Sequence, residues 1–397
     1  MFQKTIALLA TVLLLGTSSL NAEEFRAAWV ATVWNIDWPS KPGLTTYSQQ
    51  RELKTIFDQA QAIGLNTIIL QVRPAGDTFY KSPFEPWSAF LTGKMGRAPD
   101  PYYDPLEFAI AEAKERGLKL HAWINPFRMK SGNYSLASNH MRRTHPSWVK
   151  TSGKEVWLDP GIPEVREHVL KIVADLVKRY DLDGIHIDDY FYPYPPTNLK
   201  PKRQTFNDWG SYSKYKKDGG KMSRNDWRRS NINKFVEGLY KTVKATDPNV
   251  MVGISPFGIW RPGYPSSIEA QLDAYEHLCA DSRHWLQQGW CDYFSPQLYW
   301  DIDKPAQSFP VLLKWWKEQN VKNVNLWPGI ASDRIGAQYK RPASEISRQI
   351  EITRNMLDKP GHIHWSFSAL GENRKGIADL LRKDVYPAAA SSPPGQR

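Results

Sequence analysis

The sequence predicts an α/β fold: a (β/α)8 TIM barrel in a single domain with long βα loops. Three observations predict it. Strand-like and helix-like segments alternate from residue 25 to residue 383, eight of each. The connections that follow strands are long, at 75–104, 128–160, 190–224 and 258–268, whereas those that follow helices are as short as Gly64-Leu65 and Gly117-Leu118. Long loops on one face are how a barrel builds a cleft. Finally, the turn after the first strand, Trp34-Asn35-Ile36-Asp37-Trp38-Pro39, holds no glycine, so the phosphate loop of a doubly wound sheet is missing.

The elements follow in order. The first strand is expected at 25–33 and its helix at 48–63, stopped by Gly64. The second pair is 66–74 and 106–116, stopped by Gly117. The third is 119–127 and 163–180, with Pro163 suited to a first helical turn. The fourth strand, 183–189, alternates Ile185 and Ile187 with Gly184, His186 and Asp188, as a strand with one apolar face does. Its helix is expected at 225–246. The remaining pairs are 250–257 with 269–288, 292–300 with 306–319, 323–330 with 343–357, and 362–370 with 374–383.

Residues 1–22 read as a secretory signal: Lys4, an apolar run over 6–15, and Leu20-Asn21-Ala22 as the cleavage site. The run is short for a span of about 20 residues, and no cysteine stands at the cleavage site, so neither a membrane nor a lipid anchor is expected. The domain is expected over 23–387, with a disordered tail at 388–397. The product is expected to be soluble and exported.

Net charge is +11, concentrated at 200–229, where ten basic residues meet three acidic ones. An exported basic protein faces anionic wall polymers or membrane surfaces, and no nucleic-acid motif is present. Cys279 and Cys291 are free to pair after export, although a core of this size does not require a disulfide. No Cys/His cluster has metal-ligand spacing, and no cofactor is expected; His362 and His364 fit a core or site-lining role.

In such barrels the reacting groups sit at the C-terminal strand ends. Those ends carry Trp34, Gln71, Arg73, Trp123, Asn125, Arg128, Tyr190, Gln297, Tyr299, Trp300, Trp327 and Trp365 as expected substrate-binding residues. Indole planes beside amide and guanidinium donors suit a polyhydroxylated substrate, and 17 tryptophans in 397 residues supply such planes. There is no Ser–His–acid order and no nucleophilic cysteine.

The fourth strand ends on two adjacent acids, Asp188 and Asp189, followed by Tyr190-Phe191-Tyr192. Adjacent acids oppose each other's ionisation, so one tends to keep its proton. A protonated acid beside an ionised one is what sugar-bond hydrolysis needs. Parity points Asp188 toward the barrel axis and leaves Asp189 at the rim. The pair could supply both catalytic roles, or one Asp could work with Asp301, Asp77 or Glu372. If the sugar carries a 2-acetamido group, its own carbonyl is the nucleophile and one donor suffices.

At these residues the chain resembles the bacterial glycosyl hydrolase-like family 10 proteins. The likeness runs through Arg26-Ala27-Ala28-Trp29-Val30-Ala31-Thr32-Val33, Gly64-Leu65-Asn66-Thr67, Gln71-Val72-Arg73-Pro74 and His121-Ala122-Trp123-Ile124-Asn125-Pro126. It continues through Leu158-Asp159-Pro160-Gly161-Ile162-Pro163-Glu164-Val165, the Asp183 to Tyr192 run, and Pro296-Gln297-Leu298-Tyr299-Trp300. Among such proteins it looks most like the divisome-localised peptidoglycan hydrolases. The resemblance implies a periplasmic (or extracellular) (β/α)8 barrel that cleaves peptidoglycan glycan strands stripped of stem peptides, with association at the division site. A more distant likeness is to the chitinase strand Asp-Gly-x-Asp-x-Asp-x-Glu. Here Asp183, Gly184 and Asp188 match, His186 replaces an Asp, and Tyr190 stands where the chitinase acid would be. The acid role therefore moves to Asp188 or Asp189. The competing readings are a hydrolase of another N-acetylhexosamine polysaccharide and a non-catalytic glycan-binding barrel.

Overall fold

A computed structural model describes residues 23–130, 132–153, 155–195, 206–336 and 340–386. The expected signal at 1–22 and tail at 388–397 lie outside the described residues, as do 200–205 of the basic stretch. The described chain is an α/β structure with a curled parallel sheet and helices on its outside, resembling the TIM-barrel superfamily.

The strands are β1 (Phe25–Val30), β2 (Thr67–Arg73), β3 (Lys119–Ile124), β4 (Arg128–Lys130), β5 (Val149–Ser152), β6 (Glu155–Leu158), β7 (Gly184–Ile187), β8 (Met251–Ile254), β9 (Tyr293–Phe294), β10 (Asn325–Leu326), β11 (Gly329–Ala331) and β12 (Gly361–Trp365). Nine of them pair in the order β10-β9-β8-β7-β3-β2-β1-β12-β11, all parallel. The eight expected strands thus become nine paired segments. The difference lies in the seventh, which Trp327-Pro328 divides into β10 and β11; Pro328 has no N–H to give a ladder.

Side-chain alternation divides the sheet into two cores. Phe25, Ala27, Trp29, Ile69, Trp123, Met251, Tyr293, Trp327 and Ile363 pack together on its inner face. Ala28, Val30, Ile68, Leu70, Ile185, Ile187, Val252 and Ile254 pack outward against the helices. Ile185 and Ile187 therefore face the helices, which sets the inward direction of His186 between them.

Local chemistry fixes the helix ends. Thr45 accepts from Ser48 N ahead of Thr46–Ile63, which closes on Gly64 at φ +96°. Asp104 caps Pro105–Glu115, and Ser223 caps Arg224–Thr246. Pro163 opens Pro163–Arg179 as expected.

Four expectations need correction. The helix expected at 269–288 is two pieces, Ala274–His277 and Ser282–Gln288, with Cys279 between them at φ +52°. The loop 128–160 folds into an antiparallel ribbon in the order β4-β6-β5. The loop 190–224 contains a helix, Trp209–Lys217, and the last expected helix is a succession of short turns, Arg374–Gly376, Ile377–Leu380 and Leu381–Val385. Cys279 and Cys291 are both buried and unpaired. Among the described residues no helix is long and apolar enough to cross a membrane.

Glu24 locks the end of the sheet remote from the strand C-termini. It accepts from Arg26 Nε at 2.6 Å and from Arg354 Nε and Nη2 at 2.8 and 2.9 Å, while its carbonyl accepts from Asn66. Burial alone would raise its carboxyl, but hydrogen bonds from Arg354 and Arg26 and the nearby His362 bring it down to about 2. A depressed carboxylate adds stability above its unfolded value of 4.5 and loses it as pH falls toward the folded one. Glu24→Gln should therefore lower unfolding free energy at pH 7 by up to about 3 kcal/mol. In urea titrations the gap from wild type should shrink below pH 4.5 and close near pH 2.

Candidate active site

A cleft of about 300 Å³ opens at the C-terminal ends of the parallel strands. The inner aromatics form its floor. Trp29, the last inward residue of β1, meets Trp365 edge-on at 6.1 Å, and Trp365 meets Trp123 at 6.0 Å. Trp34 stands at the mouth, 60% exposed, on a left-handed backbone (φ +57°).

Polar groups are set around this floor by hydrogen bonds from behind. Gln71 Oε1 accepts from Thr32 N and Val33 N, which spends the oxygen on the loop after β1. Its Nε2 has no partner among the described residues. Asn125 Oδ1 accepts from Trp123 Nε1 at 3.0 Å, and its Nδ2 donates to Pro74 O. Gln297 Nε2 donates to Ser255 O at 2.9 Å. The Arg128 guanidinium lies 3.9 Å above the Tyr190 ring.

Asp188 and Asp189 follow β7 directly, and both are buried. Among the described residues they are the only carboxylates lining the cleft. Their surroundings differ. Tyr194 OH donates to Asp189 Oδ2, and the Gln297 amide also hydrogen-bonds that carboxyl. Asp188 accepts from Tyr190 N at 3.3 Å. Burial and the neighbouring Asp189 charge push Asp188 well above the usual carboxylate range, against the pull of Arg128. Burial raises Asp189 too, but the Tyr194 and Gln297 hydrogen bonds and Arg128 hold it back. Both carboxyls are thus raised, and the hydrogen bonds to Asp189 favour its charged form over that of Asp188.

The structure brings Trp34, Gln71, Trp123, Asn125, Arg128, Asp188, Asp189, Tyr190, Gln297, Tyr299 and Trp365 to the cleft. It places the other expected residues elsewhere. Arg73 is fully buried, bound to Glu85 at 2.5 and 2.6 Å, and donates to the carbonyls of Asn125 and Pro126, so it supports Asn125 from below. Trp300 packs edge-on against Phe257 in the outer core. Trp327 is stacked on Phe25 at 4.0 Å, because the β10 end of its strand lies low in the sheet.

The three expected second acids are likewise outside the cleft. Asp77 is buried behind it, accepting from Ala75 N, and burial pushes its carboxyl up to about 6. Asp301 is half-exposed and paired with Arg341 at 2.5 Å, and Glu372 is exposed and paired with Arg374 at 2.6 Å. Sequence reasoning missed Trp29, Val33, Ile36, Tyr194 and Ser255 as lining residues. Strand parity would have found Trp29; nothing local marks Tyr194. No cluster of three metal-ligating side chains occurs among the described residues.

The Glycosyl hydrolase-like 10 family profile matches residues 24–344. The chain is 40% identical over 412 residues to Glycosyl hydrolase YngK of Bacillus subtilis (strain 168), a match covering 98% of this chain and 79% of that one. It is 36% identical over 347 residues to Glycosyl hydrolase DigH of Escherichia coli (strain K12), covering 82% and 77%. Among solved structures it is similar to the catalytic domain of beta-amylase from Paenibacillus polymyxa (TM-score 0.61, 12% identity, 92% of this chain and 99% of that one). It is also similar to the PgaB (BpsB) glycoside hydrolase domain from Bordetella bronchiseptica (TM-score 0.58, 13% identity, 90% and 98%). At such identities the structural likeness concerns the fold alone.

Removing one partner of a buried ion pair leaves an uncompensated charge, at a cost of about 3–5 kcal/mol. Arg73→Met should lose that much stability in denaturant titrations. Glu372→Gln, at an exposed pair, should stay within about 0.5 kcal/mol of wild type.

Proposed function

We propose, from the premise that this chain belongs to the glycosyl hydrolase-like 10 family and is a glycoside hydrolase, that it cleaves N-acetylhexosamine glycan by substrate-assisted catalysis. Its natural substrate is the glycan strand of peptidoglycan freed of stem peptides. The observation that carries this reading is the lone carboxylate pair in the cleft. Two acids on consecutive residues sit on one side of the scissile bond. With Asp77, Asp301 and Glu372 elsewhere, no other carboxylate lines the cleft among the described residues, which favours a substrate that brings its own nucleophile. A 2-acetamido group does so.

The Asp188 carboxyl gives its proton to the glycosidic oxygen as the C1–O bond breaks. The acetamido carbonyl oxygen of the same sugar bonds to C1, forming an oxazolinium, whose N–H the Asp189 carboxylate accepts. The leaving sugar departs as an alcohol. Water then adds to C1, Asp188 takes its proton back from that water, and the ring opens with retention of configuration.

A net charge of +11 favours a polymer that carries carboxylates. Among exported N-acetylhexosamine glycans, the lactyl acids of stripped peptidoglycan provide them. The same reading places the protein in the periplasm or outside the cell after removal of 1–22, with association at the division site. It also takes the sheet as a closed (β/α)8 barrel. Only Trp327-Pro328 separate β10 from β11; Gly329 N donates to Pro296 O, and Ile363 N to Pro328 O, which supports one seventh strand joining the sixth to the eighth.

Asp188→Asn and Asp189→Asn should each lower kcat on amidase-stripped sacculi by on the order of 10²–10⁴, with folding retained. Unchanged products from both variants would sink the assignment, and equal turnover of a glycan without acetamido groups would sink the substrate-assisted route. The rate should fall at low pH as Asp189 gains a proton and at high pH as Asp188 loses its own. Tyr194→Phe removes a donor to the Asp189 carboxylate, so the acid limb of the kcat profile should move to higher pH.

A further inference from the structure

A second cavity, of about 500 Å³, shares no lining residue with the cleft. It lies between the start of Pro163–Arg179 and the helices Trp209–Lys217 and Arg224–Thr246. Its wall is aromatic, with the rings of Tyr215 and Trp227 5.9 Å apart. Gly161 lets the backbone approach the indole: a Cβ there would fall 2.2 Å from Trp227.

Two kinds of polar group face this wall. Asn231 lines the cavity at 3% exposure, and its Nδ2 has no hydrogen-bond partner among the described residues. A buried amide N–H of this kind calls for an acceptor. Lys150, Arg166 and Lys234 add cationic heads. Among the described residues Lys150 donates to Ser147 O and Arg166 to Pro160 O, with no carboxylate ion-paired to either. Of the two acids in the lining, Asp218 is bonded to Lys214, leaving Glu164 against three cations.

The ribbon connects this cavity to the cleft. Arg128 on β4 and Lys150 on β5 both stand opposite Trp157 on the central β6. Cross-strand neighbours share a face, so a basic–aromatic–basic row crosses the ribbon over two strand spacings, roughly 10 Å.

We infer that this cavity is a second glycan-binding subsite, which takes a carboxylate-bearing sugar of the same strand that occupies the cleft. The ring stacks on Tyr215 and Trp227, the sugar's acetamido or hydroxyl oxygen accepts from Asn231, and the carboxylate meets Lys150 and Lys234. This rests on the reading of the substrate as an acidic glycan polymer.

The test compares wild type with Lys150→Glu/Lys234→Glu, and with the milder Lys150→Gln/Lys234→Gln should charge reversal impair folding. The polymer is amidase-stripped peptidoglycan glycan; the control is a short, uncharged N-acetylglucosamine oligomer. The expected result is a KM for the polymer raised roughly five- to tenfold, with kcat and the control unchanged, and a gap that narrows in high salt. Equal polymer KM values, or equal losses on polymer and control, would overturn the inference. Should wild type cleave neither substrate, the functional reading fails. The subsite is then judged by calorimetric binding of the stripped glycan to full-length Asp188→Asn with and without the lysine changes; identical affinities overturn it.

Discussion

Two carboxyl groups on consecutive residues, both buried, cannot both carry a charge in a low-dielectric site. The cleft is built around that constraint. Side-chain donors converge on one member of the pair: Tyr194 and Gln297 on Asp189, against backbone contacts alone on Asp188, Tyr190 N at 3.3 Å among them. Arg128 offsets the one remaining charge from its place over Tyr190. Behind β2 the same physics has another outcome. Arg73 and Glu85 are equally buried, but a two-point ion pair neutralises them, and they hold the Asn125 backbone. Full neutralisation yields a strut; incomplete neutralisation leaves a proton that chemistry can use.

Such asymmetry requires a floor that does not shift. The inner face of the sheet supplies it through rings packed where glycines make room. A Cβ at Gly253 would lie 1.9 Å from Tyr293, and one at Gly184 2.7 Å from His121. The rings are linked by a chain of hydrogen bonds whose direction follows from its end. Trp29 Nε1 can only donate, so His186 Nε2 accepts and the His186 proton sits on Nδ1. That proton goes to Tyr293 OH, whose own proton goes to His121 Nδ1. Burial keeps both imidazoles neutral, with His121 lowered to about 4 and His186 well below its ordinary value. The Trp29 indole at the cleft floor is thereby fixed in orientation.

What was legible in the chain was what depends on period and on local backbone chemistry. The alternation through Ile185 and Ile187 set the face of Asp188, and Gly64 and Pro163 marked helix ends where the structure has them. What was not legible depends on height within the sheet and on partners distant in sequence. Trp327 and Trp365 both sit on inward strands and read alike. One packs low against Phe25 and the other lines the cleft, because their strands start at different levels. Arg73 read as a substrate ligand because its partner, Glu85, is reached only through the folded loop. Tyr194 sits in a proline-rich stretch with no period to place it, and the ribbon inside 128–160 is too short to announce itself by alternation.

That ribbon also changes how the loop bearing the two acids is held. Trp157 is almost wholly buried, and its Nε1 donates to Phe191 O at 3.0 Å, two residues beyond Asp189. Leu158 N donates to Phe127 O, which ties β6 to the turn that presents Arg128. Farther along, Asp159 accepts from Gly161 N and Ser211, joining the ribbon to both walls of the second cavity. One indole thus braces the loop that follows Asp188 and Asp189 and lies between Arg128 and Lys150 in the ribbon. These bonds tie the ribbon to the loop after β7 on one side and to the wall of the second cavity on the other. On the proposed reading, a glycan long enough to reach both ends would meet two regions joined by one ribbon, which would lower the ordering cost of binding a polymer relative to a short oligomer.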